Sequence, residues 1–348
     1  MDCELIGEEY LMRTVRLVII LLTLVVVSCN DKHLPTEQER ELIAQIEQIL
    51  SVKQQLASKY WPEFNDEKYS APIVFYTDSA CYVVNPKTRF LKAFPCEKID
   101  ADKFQLYKTV RLDTTPYHME TLVNLYDTTT YAGKTPYAMC SVLSDSQKMY
   151  PDAFDEPVWA ASIIHELVHG CQSSHPCHYL ARRIEWPDYD GENHTDRPFY
   201  ELELASYPSQ YPWLCEALMK ENGYLLSAIS TDDESEMKGF IREFLSCRKE
   251  RKNRMKSEFG QAIVRQEESF ETDESLARFM EVQSAMMLNC DNPIYAEDSF
   301  YFCENVKEDY FFITGYNLVR LFLKMGIDLD LPYNSVVHRA LESYISID

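Results

Sequence analysis

The stretch ASIIHELVHGCQSSH, residues 161–175, decides how the rest of the chain is read. It lies just after Asp155-Glu156-Pro157. A capping aspartate, an acid in the first turn and an early proline announce a helix. The spacing predicts that helix from Val158 to about Cys171. At 3.6 residues per turn, positions i and i+4 share a face. His165 and His169 can therefore turn imidazole nitrogens toward one ion, Zn2+ being the expected metal. Glu166 follows His165 by one residue and so approaches from the side. There it is placed to take a proton from a zinc-bound water as that water attacks a carbonyl. Ile163, Ile164, Leu167 and Val168 suit a buried helix. Two histidines on an ordinary core helix are the alternative.

This helix sits at a junction. Residues 36–60 are helical in pattern, with Leu42, Ile43, Ile46, Ile49 and Leu50 on one face. Residues 71–84 and 137–145 carry β-branched and aromatic residues in strand-length runs. Residues 85–136 read as strands mixed with loops. Beyond the motif the chain is mainly helical, with segments expected at about 197–228, 233–266, 272–288, 308–325 and 334–346. Gly326 stands where a helix C-terminal glycine belongs. The expected fold is α+β, a single domain over 38–348. A small β-containing N-terminal half (38–154) precedes the motif helix and a mainly helical part (155–348).

A third protein ligand must come from elsewhere, and three sources compete. His175 completes a spacing that resembles the metzincin motif H-E-x-x-H-x-x-G-x-x-H, but Gln172 stands at the glycine position. Glu201 and Glu203 lie about thirty residues downstream of the histidines. Glu274 opens the stretch ESLARFME, residues 274–281. That stretch resembles the third-ligand helix of gluzincin metallopeptidases, E-G-x-A-x-[YF]-x-E, with Ser275 in place of glycine. The resemblance implies a zincin-like fold, zinc held by His165, His169 and Glu274, and Glu166 as the catalytic base of a peptidase. Small residues at 275 and 277 would let that helix press on the motif helix. An acidic amphipathic helix is the plain alternative. Tyr310 and Tyr316, in the aromatic segment before Gly326, read as core residues rather than as transition-state donors.

The N-terminus reads as an address. Arg13 and Arg16 precede LVIILLTLVVV, residues 17–27, and then Ser28-Cys29. That apolar run is short for a membrane span and suits a signal peptide over 1–28. Residues 1–11 are acidic, and Met12 reads as the true start. A small residue before a cysteine resembles the bacterial lipobox. It implies lipid on Cys29, a polar tether over 29–37, and an exported protein anchored to the outer membrane. A short anchor with an incidental cysteine is the other reading.

The net charge of −22 argues against nucleic acid as a partner. The basic run Arg248–Arg254 is expected on a solvated helix face. Export permits disulfides, and Cys171 with Cys177 or Cys81 with Cys96 are the candidate pairs. The expected function is zinc-dependent hydrolysis of peptide or protein substrates. The alternatives are a non-catalytic surface lipoprotein on a degenerate zincin fold and a hydrolase of non-peptide amides.

Overall fold

A computed structural model describes residues 34–122, 137–175, 200–295, 306–333 and 339–347. Cys29, the leader and Cys177 fall outside these residues, as do the side chains of Glu201 and Glu203.

The first element is helix α1, Glu37–Lys59. Thr36 caps it, and the Glu39 carboxylate in turn accepts from the Thr36 N–H at 2.9 Å. Leu42, Ile46, Ile49, Val52 and Leu56 form its buried stripe. A 3-10 turn, Pro62–Asn65, follows. Strands β1 (Ile73–Tyr76) and β2 (Ala80–Val84), helix α2 (Thr88–Ala93), and strands β3 (Glu97–Ile99), β4 (Leu106–Val110), β5 (Met119–Leu122) and β6 (Tyr137–Ser141) then build one sheet. Its order is β3-β4-β2-β1-β6-β5. Only the β1–β6 pairing is parallel, with Ile73 opposite Ala138 and Phe75 opposite Cys140.

The two-residue period of a strand divides the sheet's side chains. Ile73, Phe75, Tyr82, Val84, Ala138 and Cys140 join the main core. Val74, Tyr76, Cys81, Val83, Tyr137 and Met139 form a second layer with Phe90 of α2. With both faces covered, these strands read as continuous apolar runs.

Helix α3 (Leu143–Met149) leads into α4, Glu156–Ser174, which carries the motif. The Asp155 side chain accepts from the Val158 N–H at 2.8 Å, as the cap signal predicts. The Trp159 indole N–H donates to the Ser141 carbonyl at 2.9 Å and ties α4 to the end of β6. The helical part is α5 (Tyr200–Gln210), α6 (Pro212–Ser230), α7 (Glu234–Phe259), α8 (Gln261–Met287), α9 (Val306–Met325) and α10 (Asp330–Tyr333). This arrangement is α+β, with a six-stranded sheet before the motif helix and helices after it.

Several boundaries differ from the sequence reading. The segment expected over 197–228 breaks at Tyr211, where Pro212 starts a new helix. The next two segments divide at Gly260, whose φ of +98° is one that L side chains rarely adopt. The last expected helix, 334–346, is in its described part only a 3-10 turn, Leu341–Tyr344. Gly326 ends α9 as expected, at φ +70°, with the Ile327 N–H donating to the Phe322 carbonyl at 2.9 Å.

Cys81 and Cys96 do not pair. Cys81 is buried within β2 and both thiols are free, as is Cys171. The basic run is a solvated face only in part, with Lys249 and Arg254 exposed. Arg248, Arg251 and Lys252 are buried. Among the described residues, no helix is long and apolar enough to cross a membrane.

Candidate metal centre

Helix α4 lies between the sheet and α8. Its capped start and apolar flanks fix its rotation, so that His165 and His169 face α8. Their Nε2 atoms lie 2.9 Å apart. Glu274, on α8, brings its Oε2 to 3.3 Å from each of them. Three donor atoms from two helices thus converge, and among the described residues this is the one such group able to hold a metal.

The outer nitrogens are also engaged. His165 Nδ1 donates to Glu281 Oε2 at 2.8 Å. Glu281 is held in turn by Arg278 at 2.9 Å and by the Tyr295 hydroxyl at 2.7 Å. His169 Nδ1 donates to Gln172 Oε1 at 3.1 Å. The orientation of the Gln172 amide follows from its other end, where Nε2 donates to the Asp273 carbonyl at 3.1 Å. With both Nδ1 atoms engaged as donors, each imidazole is held with its Nε2 turned toward Glu274.

Charge is concentrated here. Burial alone would lower both imidazole pKa values. The hydrogen bonds and charges of Glu274 and Glu281 outweigh it and raise His165 to about 10. His169 is raised by Glu274 against the same burial. Burial pushes the Glu274 carboxyl up, but His169 and His165 together hold it well below the usual carboxylate range. Glu281 is likewise drawn down to about 2, against burial, by Arg278 and His165. Two carboxylates thus stabilise positive charge at the paired imidazoles, and a cation there would meet the same field.

The donor set fits zinc. Nitrogen and carboxylate donors about 2.0–2.2 Å from a tetrahedral zinc stand roughly 3.3 Å from one another. The two histidine–glutamate separations, 3.3 Å each, match that spacing, while the two imidazoles, 2.9 Å apart, would have to part by a few tenths of an ångström. Glu166 is buried on α4, and its backbone carbonyl accepts from the Thr121 hydroxyl of β5 at 2.5 Å. That bond sets strand β5 beside the motif helix.

The remaining sequence candidates go elsewhere. Helix α4 stops at Ser174, and His175 turns away to Tyr69, with ring centroids 4.6 Å apart, and to Glu63 at 3.8 Å. Tyr310 is buried and donates to Glu267 at 2.9 Å. Tyr316 packs in the core against Phe279. Sequence reasoning missed Gln172, Arg278 and Tyr295 as supports. Glu281 is visible as the last acid of the 274–281 stretch, but spacing alone assigns it no role. No family model, curated protein or solved structure matches the chain.

Proposed function

We propose that this protein is a gluzincin-type zinc metallopeptidase, in which His165, His169 and Glu274 hold the metal and Glu166 is the base. The observation that carries the reading is the convergence of Glu274 Oε2 on both imidazole Nε2 atoms, at 3.3 Å each. Zinc at such a site supplies Lewis acidity, which acidifies water and polarises a carbonyl.

The chain's own residues do the rest. Glu281 and Gln172 keep the imidazoles in register, so little reorganisation accompanies the reaction. Glu166 receives the proton of the attacking water and returns it to the leaving amine. Strand β5 has no neighbour on its outer side among the described residues. An extended peptide can add to such an edge through main-chain hydrogen bonds. That mode suits a peptide or protein substrate better than a small amide. Export, and attachment to a bacterial outer membrane through lipid on Cys29, belong to the same proposal.

The test is Glu166→Gln. It is expected to bind zinc like the wild type and to lose at least about 100-fold in peptide hydrolysis, within the range for general-base removal. Full activity in that variant would overturn the mechanism.

A further inference from the structure

Away from the metal centre, a cleft of about 380 Å³ opens beside the second half of α1. The 3-10 turn after α1 and the loops after β2 and before β4 complete it. Its volume falls within the range of small-molecule sites, about 300–1,000 Å³. Ammonium and carboxamide groups dominate its polar lining: Lys53, Lys87, Gln54, Asn65, Asn85 and Gln105. One acid, Glu67, also lines it. In a chain of net charge −22, a cleft with two lysines and one acid is out of character.

Lys53 is the telling residue. It adjoins the core stripe of α1 and is only 6% exposed. Its Nζ donates to the Phe64 carbonyl at 2.5 Å and lies 4.7 Å from the centre of the Phe64 ring. Lys87, across the cleft, donates to the Glu67 carbonyl at 3.0 Å. Among the described residues neither ammonium has a carboxylate in salt-bridge range, and both hydrogen-bond acceptors are backbone carbonyls.

The contrast within this molecule is sharp. The other buried cations among the described residues have acids. Arg248 and Arg251 each contact Glu221 at 2.7 Å, and Lys252 contacts Glu268 at 3.0 Å. Burying an ammonium without a counter-ion is costly. Burial accordingly draws Lys53 down to about 8, against the influence of Cys171, and the charge of Lys87 lowers it further. Two like charges that feel each other across a cleft favour an anion between them.

The amides add selectivity. Asn85 sits at φ +49°, and its Oδ1 accepts from the Gln105 N–H at 3.0 Å. That leaves its amide nitrogen as a donor. Gln54 and Asn65 offer both donors and acceptors to the rest of a ligand.

We propose that this cleft binds a small polar molecule bearing a carboxylate or phosphate, with Lys53 and Lys87 holding the anionic group. The inference stands independently of the metal centre.

Calorimetric titration of the purified full-length protein with inorganic phosphate, and separately with succinate, tests it. Saturable binding of at least one of the two is expected, and whichever binds more tightly identifies the anion class. Lys87→Gln should weaken that binding roughly tenfold or more, the loss of one charge-assisted contact. Lys53→Gln should do the same. Lys87 lies nearer the surface, so its variant keeps the test decisive if the Lys53 variant does not fold. Absence of saturable binding at millimolar anion, or equal affinity in wild type and Lys87→Gln, would overturn the proposal.

Discussion

Gln172 occupies the position at which a metzincin has its turning glycine. Here it does something else: its amide bridges His169 and the Asp273 carbonyl, joining α4 to α8 one residue before Glu274. Glu281 performs the matching task for His165. Such outer hydrogen bonds fix ring orientation and raise ligand basicity, and their loss lowers metal affinity by about 10–100-fold. Glu281→Gln is therefore expected to weaken zinc binding within that range, measured by competition with a chromogenic chelator, while far-UV circular dichroism stays unchanged. Unaltered affinity would mean that Glu281 is only a packing residue. At this scale His165, Glu166 and His169 were readable from spacing alone, because one helical turn fixes their relation. Gln172 and Tyr295 were not, since the Asp273 carbonyl that orients the Gln172 amide and the Glu281 carboxylate that meets Tyr295 are brought close only by the tertiary fold.

Helix α8 must lie close enough to α4 for Glu274 to reach. Its opposite side is set by Gly315 of α9. A Cβ on Gly315 would stand 2.7 Å from the Ser275 Cβ and 3.1 Å from the Glu271 carbonyl oxygen. Ser275, next to Glu274, is thus accommodated by a glycine on the neighbouring helix. Replacing Gly315 by Ala gains at most about 1 kcal/mol of helix propensity. Overpacking costs about 1–3 kcal/mol. The Gly315→Ala variant should melt at lower temperature, and adding Ser275→Gly should restore part of the loss, because contacting residues couple. Additive losses in the double variant would contradict this packing. Element types were largely legible: the apolar period marked α1, α4 and α9, and the β-branched runs marked β1, β2 and β6. Boundaries were less so. Gly260 and Pro212 are local breakers that a long apolar period masked, and the short strands β3 and β5 carry too few residues to show alternation.

Across the whole molecule, the helical part is joined by a buried ionic network. Arg248 contacts Glu221, Glu271 and Glu342, while Arg251 contacts Glu221 and Glu267. Lys252 reaches Glu342 at 2.5 Å. The network links α6, α7 and α8 to the turn at 341–344. The sequence did hold its signal: Ile241, Phe244, Arg248, Arg251, Lys252 and Met255 repeat at three- and four-residue intervals and are all buried. Charge alone made that stripe look solvated. Burial raises the Glu342 carboxyl, but Arg248 and Lys252 bring it down to about 2. Arg251 lowers Glu267 against the same burial, whereas burial raises Glu271. A depressed carboxylate pKa stabilises the fold above the unfolded value near 4.5, and that stability is lost as pH falls toward 2. Glu342→Gln should therefore cost about 2 kcal/mol at pH 7, less than the ~3–5 kcal/mol for a wholly buried partner. Chemical denaturation of both proteins from pH 7 to pH 2 should show the gap closing below about pH 4.5. A gap independent of pH would remove the network from the account of stability.

All three scales meet at Glu274, the carboxylate that α8 delivers to the two imidazoles of α4. The most direct measurement is zinc titration of the metal-free protein against a competing chelator, for the wild type and Glu274→Ala. One zinc per chain is expected for the wild type, with affinity reduced at least about 100-fold in the variant, as for a lost ligand that leaves two neutral imidazoles. Equal affinity and stoichiometry in the two proteins would contradict the metal centre described here.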